Sequence, residues 1–414
     1  MKYGLLGHPL GHSLSPELHD LLGLGGYELR DMAEEDALRF VREGDWAGLN
    51  VTIPYKRAVL PLMDELSPEA AAVGAVNTVE RRDGRLIGHN TDVSGFLSMA
   101  ERAGIALKDE NIVVLGDGGA AAAVRYACGQ AGARAVTTVS RRGRIGFDAL
   151  GTLTGTQVLV NATPVGMSPD IDGLPCDIGL FPALEGVLDL NYNPRKTRLV
   201  LEAEARGVPH GDGLWMLCAQ GAASEGIWLK EAPGEETVEK AYRALKKAMT
   251  GIVLCGMPGS GKSAAGRMIA EKTGRPFVST DDLVTQMTGR TPEEWILREG
   301  EAAFRDAEEA AMLRAVQLPG AVIALGGGTV IRESNRRRAR EAGRVYRIIR
   351  PLHELDTRDR PLSKGPGALQ RLEKEREGVY TAVSDVTVEG FSDIGEAAER
   401  ILEEFDAYFG DQRA

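Results

Sequence analysis

The stretch Gly256-Met257-Pro258-Gly259-Ser260-Gly261-Lys262-Ser263 constrains this chain more than any other. It comes directly after the apolar run Ile252-Val253-Leu254-Cys255 and leads into a helical pattern from Ala264. A buried strand, a glycine-rich turn and a helix start thus come in the order a phosphate-binding loop requires, and the spacing fits G-x-x-x-x-G-K-[ST]. The glycines let the backbone curl until its N–H groups converge on one anion, and the helix N-terminus adds partial positive charge. Lys262 can reach the β- and γ-phosphates, and Ser263 can offer its hydroxyl to Mg²⁺. A plain Gly/Ser-rich surface turn would need neither the strand nor the helix. The loop also divides the chain. The residues before it are too many for a leader, and those after it suffice for a small kinase domain.

With 414 residues, two or three domains are expected. The formal net charge of −11 argues against a nucleic-acid role led by a basic surface, so an anionic substrate must be held by local Arg, Lys and backbone donors. Cys128, Cys176, Cys218 and Cys255 form no C-x-x-C pair, which argues against a disulfide framework or structural zinc and fits a reducing cytoplasm. Gly and Pro break the N-terminal residues before they could form a signal-peptide core, and no apolar run approaches membrane-spanning length. A cytoplasmic location with small-molecule partners, no nucleic acid and no membrane is the expectation.

Tyr3 to Leu6 reads as a short buried strand, followed by a Gly-rich loop ending Ser13-Leu14-Ser15-Pro16. Pro16 suits the first turn of a helix and Ser15 its N-cap. Two alternate hydroxyls could also grip a carboxylate. Leu49-Asn50-Val51-Thr52-Ile53-Pro54-Tyr55-Lys56 reads as a strand running into a proline-fixed turn, with a lysine just past the strand end. Ligands sit at the carboxyl ends of strands in open α/β sheets. Gly74 to Val79 and Gly88 to Gly95 each place Asn-Thr beside a bend, and the second adds Asp92. Lys56 and Asp92, supplied by separate loops of one cleft, make a proton-transfer pair. Asn, Thr and Asp are also common turn and capping residues, so neither segment proves this singly.

Ile112 to Leu115 is a second strand of parallel-sheet type. It ends in Gly116-Asp117-Gly118-Gly119-Ala120-Ala121, before an Ala-rich helix and a further strand, Ala135 to Val139. This is a variant dinucleotide fingerprint in βαβ context. Where an NAD enzyme carries an acidic residue, the chain reads Ser140-Arg141-Arg142, with Arg144 close behind. Arginines there suit a 2′-phosphate, so NADP is favoured over NAD. Val158 to Met167 reads as a further strand and loop, and Val187 to Tyr192 as another strand of the same sheet. Helices are expected from about Leu214 to Leu229 and from Glu235 to Met249.

Together these residues resemble shikimate dehydrogenase, from Tyr3 to about Met249. The motifs that carry the likeness are Ser13-Leu14-Ser15-Pro16, Asn50 to Lys56, Gly74 to Thr78, Asn90-Thr91-Asp92, the Gly116 turn, Asn161-Ala162-Thr163-Pro164 and Gln220-Gly221. The resemblance implies NADPH-dependent reduction of 3-dehydroshikimate to shikimate, and the reverse. It implies that Ser13 and Ser15 bind the substrate carboxylate. Thr52, Asn77, Asn90 and Gln220 would line the ring hydroxyls, Lys56 and Asp92 would be catalytic, and Tyr192 and Gly213 would lie near the site. NADP would be held by Gly116, Gly118, Gly119, Ala120, Ser140, Arg141, Arg142, Asn161, Thr163 and Gly213. Two departures stand out. Asp117 lies inside the glycine turn, where a carboxylate facing the pyrophosphate would repel it, so its side chain is expected to point away. Ser140-Arg141-Arg142 replaces the family's Asn-Arg-Thr.

Beyond the Gly256 loop, Phe277-Val278-Ser279-Thr280-Asp281-Asp282 lies at the end of an expected strand, and Gly300 to Glu308 in a helical stretch. Ala321 to Leu325 is a strand ending in Gly326-Gly327-Gly328, where a small substrate can approach the backbone closely. Arg358 to Leu362 suits a lid, and Arg376 precedes Tyr380 on a charged helix. This part resembles shikimate kinase, from roughly Thr250 to Phe409. The resemblance implies MgATP-dependent phosphorylation of the shikimate 3-hydroxyl. Asp281, Arg305, Gly327, Gly328 and Arg376 match its substrate-binding residues, with Arg305 and Arg376 clamping the carboxylate and Asp281 orienting the hydroxyl. Gly256, Gly259, Ser260, Gly261, Lys262, Ser263 and Ala264 would hold ATP, with Lys262 catalytic, Ser263 on Mg²⁺ and Arg360 reaching the transferred phosphoryl group. The family's first acid of Asp-x-Asp is Ser279 here, and the lid between His353 and Arg360 is short.

The expected fold is α/β with parallel sheets in both halves: a shikimate-dehydrogenase-like substrate domain (1–92), a Rossmann NADP domain (93–213), closing helices and linker (214–249), and a P-loop domain of nucleoside-monophosphate-kinase type (250–414). The expected activity is bifunctional, because the product of the first half is the substrate of the second. Two alternatives stay open. One is a quinate-type dehydrogenase joined to a kinase for another small molecule, such as gluconate. The other is a kinase-like half that only binds ligand.

Overall fold

Each glycine-rich turn singled out above comes after a buried parallel strand, and two of the three sheets are built on that arrangement in this computed structural model, which describes residues 3–11, 13–355 and 367–410. Met1–Tyr192 with Thr197–Leu245 form one unit, and Asn193–Lys196 with Lys246–Ala414 a second.

The first unit holds two sheets. One contains β1 (Tyr3–Gly7), β2 (Tyr27–Asp31), β3 (Gly48–Val51), β4 (Glu65–Leu66), β5 (Thr78–Arg82) and β6 (Arg85–His89), in the order β2-β1-β3-β5-β6-β4. It is mixed rather than wholly parallel as the sequence suggested, because β5 runs antiparallel to both β3 and β6. The reason is local: Asp83, at φ 52°, and Gly84, at φ 76°, make the tight turn that joins β5 to β6 as a hairpin.

The other sheet contains β7 (Asn111–Leu115), β8 (Ala135–Val139), β9 (Val158–Asn161), β10 (Gly186–Asp189) and β11 (His210–Asp212). All pairs are parallel and the order is β11-β10-β9-β7-β8. Alternate residues of these apolar strands feed two cores, as the period-two geometry of a strand requires. Ile112, Val114, Val158, Val160 and Leu188 pack with Phe96, Met99 and the Ala121–Val124 run. Val113, Leu115, Leu159 and Val187 pack on the other face with Leu150, Phe181, Leu199 and Ala203. The strand order reverses between β7 and β9, the switch point at which such sheets bind ligands.

The second unit carries β12 (Gly251–Cys255), β13 (Phe277–Ser279), β14 (Val322–Ala324), β15 (Gly343–Ile348) and β16 (Val386–Val388), all parallel, in the order β13-β14-β12-β15-β16. β12 is buried throughout. Ile252, Leu254, Tyr346 and Ile348 meet Ala265, Ile269, Ile401 and Phe405 from the helices Lys262–Thr273 and Ile394–Gly410.

Several boundaries differ from the sequence reading. Ser15 is not an N-cap but the first residue of its helix (Ser15–Leu22), with Leu14 at the cap position and no side-chain cap bond. β10 ends at Asp189 rather than Tyr192. The helix after the phosphate-type loop starts at Lys262 rather than Ala264. Asp281 lies in the first turn of the helix Thr280–Thr288 rather than at a strand end, because the Ser279 hydroxyl accepts from Asp282 N at 3.2 Å and starts that helix. Among the described residues no helix is long and apolar enough to cross a membrane.

One buried polar contact ties the Ser15–Leu22 helix to Gly213–Leu229. His19 Nδ1 lies 2.7 Å from Glu225 Oε1, each side chain 1% exposed. Glu225→Ala would leave a buried ring nitrogen unpaired and is expected to destabilise the first unit by about 2 kcal/mol. Replacing both residues by leucine is expected to cost less than Glu225→Ala alone. Urea unfolding followed by tryptophan fluorescence checks both.

Candidate active sites

The end of β3, the start of β5 and the helix Asp92–Arg102 converge on one cluster. Lys56 Nζ lies 2.6 Å from Asp92 Oδ2, with side chains 17% and 8% exposed. Asn77 Nδ2 donates to Asp92 Oδ1 at 3.0 Å and to Thr91 Oγ1 at 2.9 Å, while its Oδ1 accepts from Thr91 N at 2.7 Å. Gln220 Oε1 lies 3.4 Å from Asn77 Nδ2. Asn90 Nδ2 is fixed on Ala75 O at 2.9 Å, and among the described residues its buried Oδ1 has no hydrogen-bond partner, which leaves it able to accept from a donor. Thr52 lies just beyond β3, where its methyl would stand 2.5 Å from any Cβ placed on Gly7. Ser13 and Ser15 pair with each other, Oγ to Oγ, at 3.2 Å. Tyr192 is half-buried, and burial pushes its phenol above the ordinary value.

Beneath this cluster lies a polar hub that the motifs did not reveal. Ser224 Oγ sits 2.9 Å from Asn50 Nδ2, 2.8 Å from Thr78 Oγ1 and 3.2 Å from Thr91 Oγ1. It lies one helical turn past Gln220, and that spacing was the one available signal.

The first glycine turn adjoins the cluster. A Cβ on Gly119 would sit 3.4 Å from Lys56 Cδ. Gly116 has φ 112°, and a Cβ there would stand 2.9 Å from Ala162 O, so the turn fits against the loop after β9 only with glycine. The helix Gly119–Gln130 begins without a side-chain cap, so its first N–H groups remain available to an anion. Ala120 is half-buried within that turn. Asn161 Oδ1 accepts from Thr163 N at 3.1 Å and Thr163 Oγ1 at 2.6 Å. Gly213 N donates to Asn191 O at 3.1 Å, and a Cβ on Gly213 would collide with the Leu190 backbone. Ser140 is buried, whereas Arg141, Arg142 and Arg144 are exposed on the turn after β8. The Asp117 carboxylate accepts from the Ser140 hydroxyl. Cradle, open helix end and arginines fit a dinucleotide with a phosphorylated ribose.

Asp189 is the largest omission of the sequence reading. It is wholly buried at the end of β10, opposite Asn161 in register. It accepts from Asn161 Nδ2 at 3.0 Å, Asn191 N at 3.1 Å and Thr197 Oγ1 at 2.6 Å. Burial pushes its pKa up from 3.8 to about 7, against the pull of those three donors. A polar residue ending an apolar strand was its only trace in the sequence.

In the second unit, Gly256 (φ 136°), Gly259 (φ 80°) and Gly261 (φ 94°) form the curl of the phosphate-type loop. Among the described residues Ser260 Oγ is buried without a hydrogen-bond partner, and Lys262 Nζ donates to Gly256 O at 3.0 Å and Met257 O at 2.8 Å. Ser263 and Ala264 occupy the first turn of the helix behind it. The loop fits a nucleotide's phosphates. Asp281, Glu308 and Arg305 gather around the three glycines: a Cβ on Gly326 would lie 2.5 Å from Asp281 Oδ1, and one on Gly328 would collide with the Arg305 guanidinium. Arg305 is gripped by Glu308 and Glu301, each at 2.7 Å. Burial raises the Glu308 carboxyl above its usual range, with Arg305 opposing. Arg376 Nη1 donates to Gly327 O at 3.0 Å, and Tyr380 donates to the same carbonyl. Arg360 lies outside the described residues.

The shikimate dehydrogenase substrate binding domain family model matches residues 5–79, and the shikimate kinase model matches residues 258–406. The NADP(+) shikimate dehydrogenase of Symbiobacterium thermophilum is 39% identical over 257 residues, covering 54% of this chain and 87% of that protein. Among solved structures, a chorismate mutase/shikimate 5-dehydrogenase fusion protein from Clostridium acetobutylicum aligns with a TM-score of 0.56 and 35% identity, over 59% of this chain and 97% of that one. Shikimate 5-dehydrogenase of Thermus thermophilus, in complex with NADP(H) and shikimate, aligns at 0.54 and 39%, over 59% and 99%.

The state of Asp189 makes a testable statement about pH. Its folded-state pKa is raised, so the folded chain binds this proton more readily than the unfolded chain. The stability it contributes is fully present below 3.8 and is lost as pH rises through about 7. In Asp189→Asn that loss is removed. The melting temperature of the variant minus that of the parent is expected to rise between pH 4.5 and pH 8 (chosen to bracket the ~3-unit shift), measured by thermal unfolding.

Proposed function

The chain belongs to the shikimate dehydrogenase family and carries a shikimate kinase domain behind it, and from that premise we propose that it reduces 3-dehydroshikimate to shikimate with NADPH and then phosphorylates the shikimate 3-hydroxyl with MgATP. The observation that carries the reading is the Lys56–Asp92 pair, 2.6 Å apart and packed on the first glycine turn. It sets a proton donor beside the place where a nicotinamide would lie.

In the first reaction the reduced nicotinamide supplies the hydride. Negative charge develops on the ketone oxygen as C–H forms, and Lys56 gives that oxygen its proton. Asp92 orients Lys56 and accepts from a neighbouring ring hydroxyl, while Asn77 holds Asp92. Asn90 Oδ1 and Gln220 take further hydroxyls together with Thr52, and Ser13 and Ser15 take the carboxylate. Tyr192 and Gly213 flank the site. Gly116, Gly118, Gly119 and Ala120 cradle the pyrophosphate. Ser140, Arg141 and Arg142 meet the adenosine ribose, and Asn161 and Thr163 border the nicotinamide side.

In the second reaction Asp281 accepts from the attacking hydroxyl. Arg305 and Arg376 clamp the substrate carboxylate, with Glu301 and Glu308 fixing Arg305 in its rotamer. Gly327 and Gly328 leave room for the ring. The amides of Gly256, Gly259, Ser260 and Gly261, with Lys262 and the helix start at Ser263 and Ala264, hold the phosphates. Mg²⁺ on the Ser263 hydroxyl would neutralise charge on the transferring group, and Arg360 would approach the same group.

Burial pushes the thiols of Cys128, Cys176 and Cys255 up to about 12, and neither proposed step calls for a thiolate. The four cysteines are buried and outside any disulfide, which supports a reducing, cytoplasmic setting. One observation favours a second reading of the kinase half as a ligand-binding module: Ser279 is spent on capping a helix. Turnover decides between the two.

Lys56→Ala is expected to lower the reduction by at least about a thousandfold and to leave phosphorylation of added shikimate intact. Lys262→Ala is expected to do the reverse. Loss of both activities in either folded variant would contradict the two-site reading. Parallel assays of NADPH oxidation and ADP release on each variant check this.

A further inference from the structure

The first glycine turn carries a carboxylate that neither proposed reaction uses. Asp117 comes next after Gly116 at the end of β7 and is exposed. Its Oδ2 accepts from the Ser140 hydroxyl at 3.1 Å. Ser140 is the first residue past β8 and is 3% exposed. From that place a dinucleotide-binding sheet contacts the adenosine ribose. A carboxylate there accepts from the 2′-hydroxyl of NAD, and an arginine there accommodates the 2′-phosphate of NADP. In this chain the two devices meet. Arg141, Arg142 and Arg144 ride on a turn closed by Ser140 N on Ile145 O at 3.1 Å, while the carboxylate arrives from the neighbouring loop. Arg57 reaches the same glycine turn but donates to the Asp117 carbonyl, at 3.4 Å.

The geometry points to Asp117 as the residue that sets cofactor selectivity: docked on Ser140, it accepts from the ribose 2′-hydroxyl of NAD(H) and repels the 2′-phosphate of NADP(H), so the site takes both cofactors. This rests on the reading of the Gly116 turn as the dinucleotide site. Both arms of the effect have one sign for the ratio of the two affinities. Neutralising Asp117 removes a like charge from beside the phosphate, which in a half-wet crevice is worth roughly tenfold in binding. It also weakens an acceptor for the 2′-hydroxyl, worth a further few-fold.

The test is titration calorimetry of the full chain, of Asp117→Asn and of Asp117→Ala with NADP⁺ and with NAD⁺. Saturating Mg·ADP is present so that the phosphate-type loop of the second unit does not compete. The ratio Kd(NAD⁺)/Kd(NADP⁺) is expected to rise about tenfold or more in both variants, with NADP⁺ tighter and NAD⁺ weaker. The NADPH-over-NADH preference in kcat/KM should change in the same direction. A ratio that stays within about threefold of the parent's, or that falls, overturns the assignment, including the case where both cofactors weaken together because the turn has lost its shape. If NADP⁺ does not bind the parent chain, the cofactor reading itself fails. Unchanged thermal unfolding of the isosteric Asn variant keeps the comparison between folded proteins.

Discussion

The Asn77 side chain is the joint on which the first site depends. It is 2% exposed and uses both ends of its amide. Its oxygen holds the Thr91 backbone, and its nitrogen bridges the Thr91 hydroxyl and the Asp92 carboxylate. A buried amide left half-paired costs more than the bonds it makes return, so the bend that carries Asn77 into β5 and the helix beginning at Asp92 have one stable mutual setting. Asp92 is thereby aimed, and Lys56 is set by it. The Ser224 hub below repeats the principle with Asn50 and Thr78. The network fixes Asp92 and Lys56 relative to each other before any ligand arrives, which is the placement the proposed proton transfer would need.

The second unit solves a similar problem with charge. Arg305 is gripped by Glu308 and Glu301, while Glu308 also accepts from the Thr329 hydroxyl at 2.7 Å. Thr329 comes directly after the three glycines, so the arginine and the glycine turn are fixed to each other. Arg376 and Tyr380 hold the same turn from the Ala368–Val383 helix through the Gly327 carbonyl. Both guanidinium groups are therefore fixed beside the glycine turn, at the cost of burying Glu308.

The sequence exposes much of this and hides the rest for identifiable reasons. β8 and the helix Glu235–Met249 fall where local pattern puts them, because period and flanking turns specify such elements without reference to the remainder of the chain. Lys56, Asp92 and the glycine turns are legible because loops at strand ends carry chemistry. Ser224 is not, since Asn50, Thr78 and Thr91 lie far off in sequence and only folding brings them to it; Asp189 is not, because its burial and its pairing with Asn161 across the sheet come from the fold, although Asn191 and Thr197 lie close by in the chain. The grip of Glu301 and Glu308 on Arg305 is written in i,i+4 and i,i+3 spacing, but such pairs are common on any charged helix and do not mark a site by themselves. The sequence reads Phe277 to Asp282 as one strand end, whereas in the fold the Ser279 hydroxyl caps a helix and puts Asp281 in its first turn.

That one chain performs two consecutive reactions is tested most directly on purified full-length protein supplied with 3-dehydroshikimate, NADPH, ATP and Mg²⁺. NADPH absorbance is followed together with shikimate 3-phosphate, the latter by mass spectrometry. Both signals are predicted to change, with phosphorylated product appearing in step with NADPH consumed. NADPH oxidation with shikimate accumulating unphosphorylated would contradict this account and leave the second half as a binding module or a kinase for another substrate.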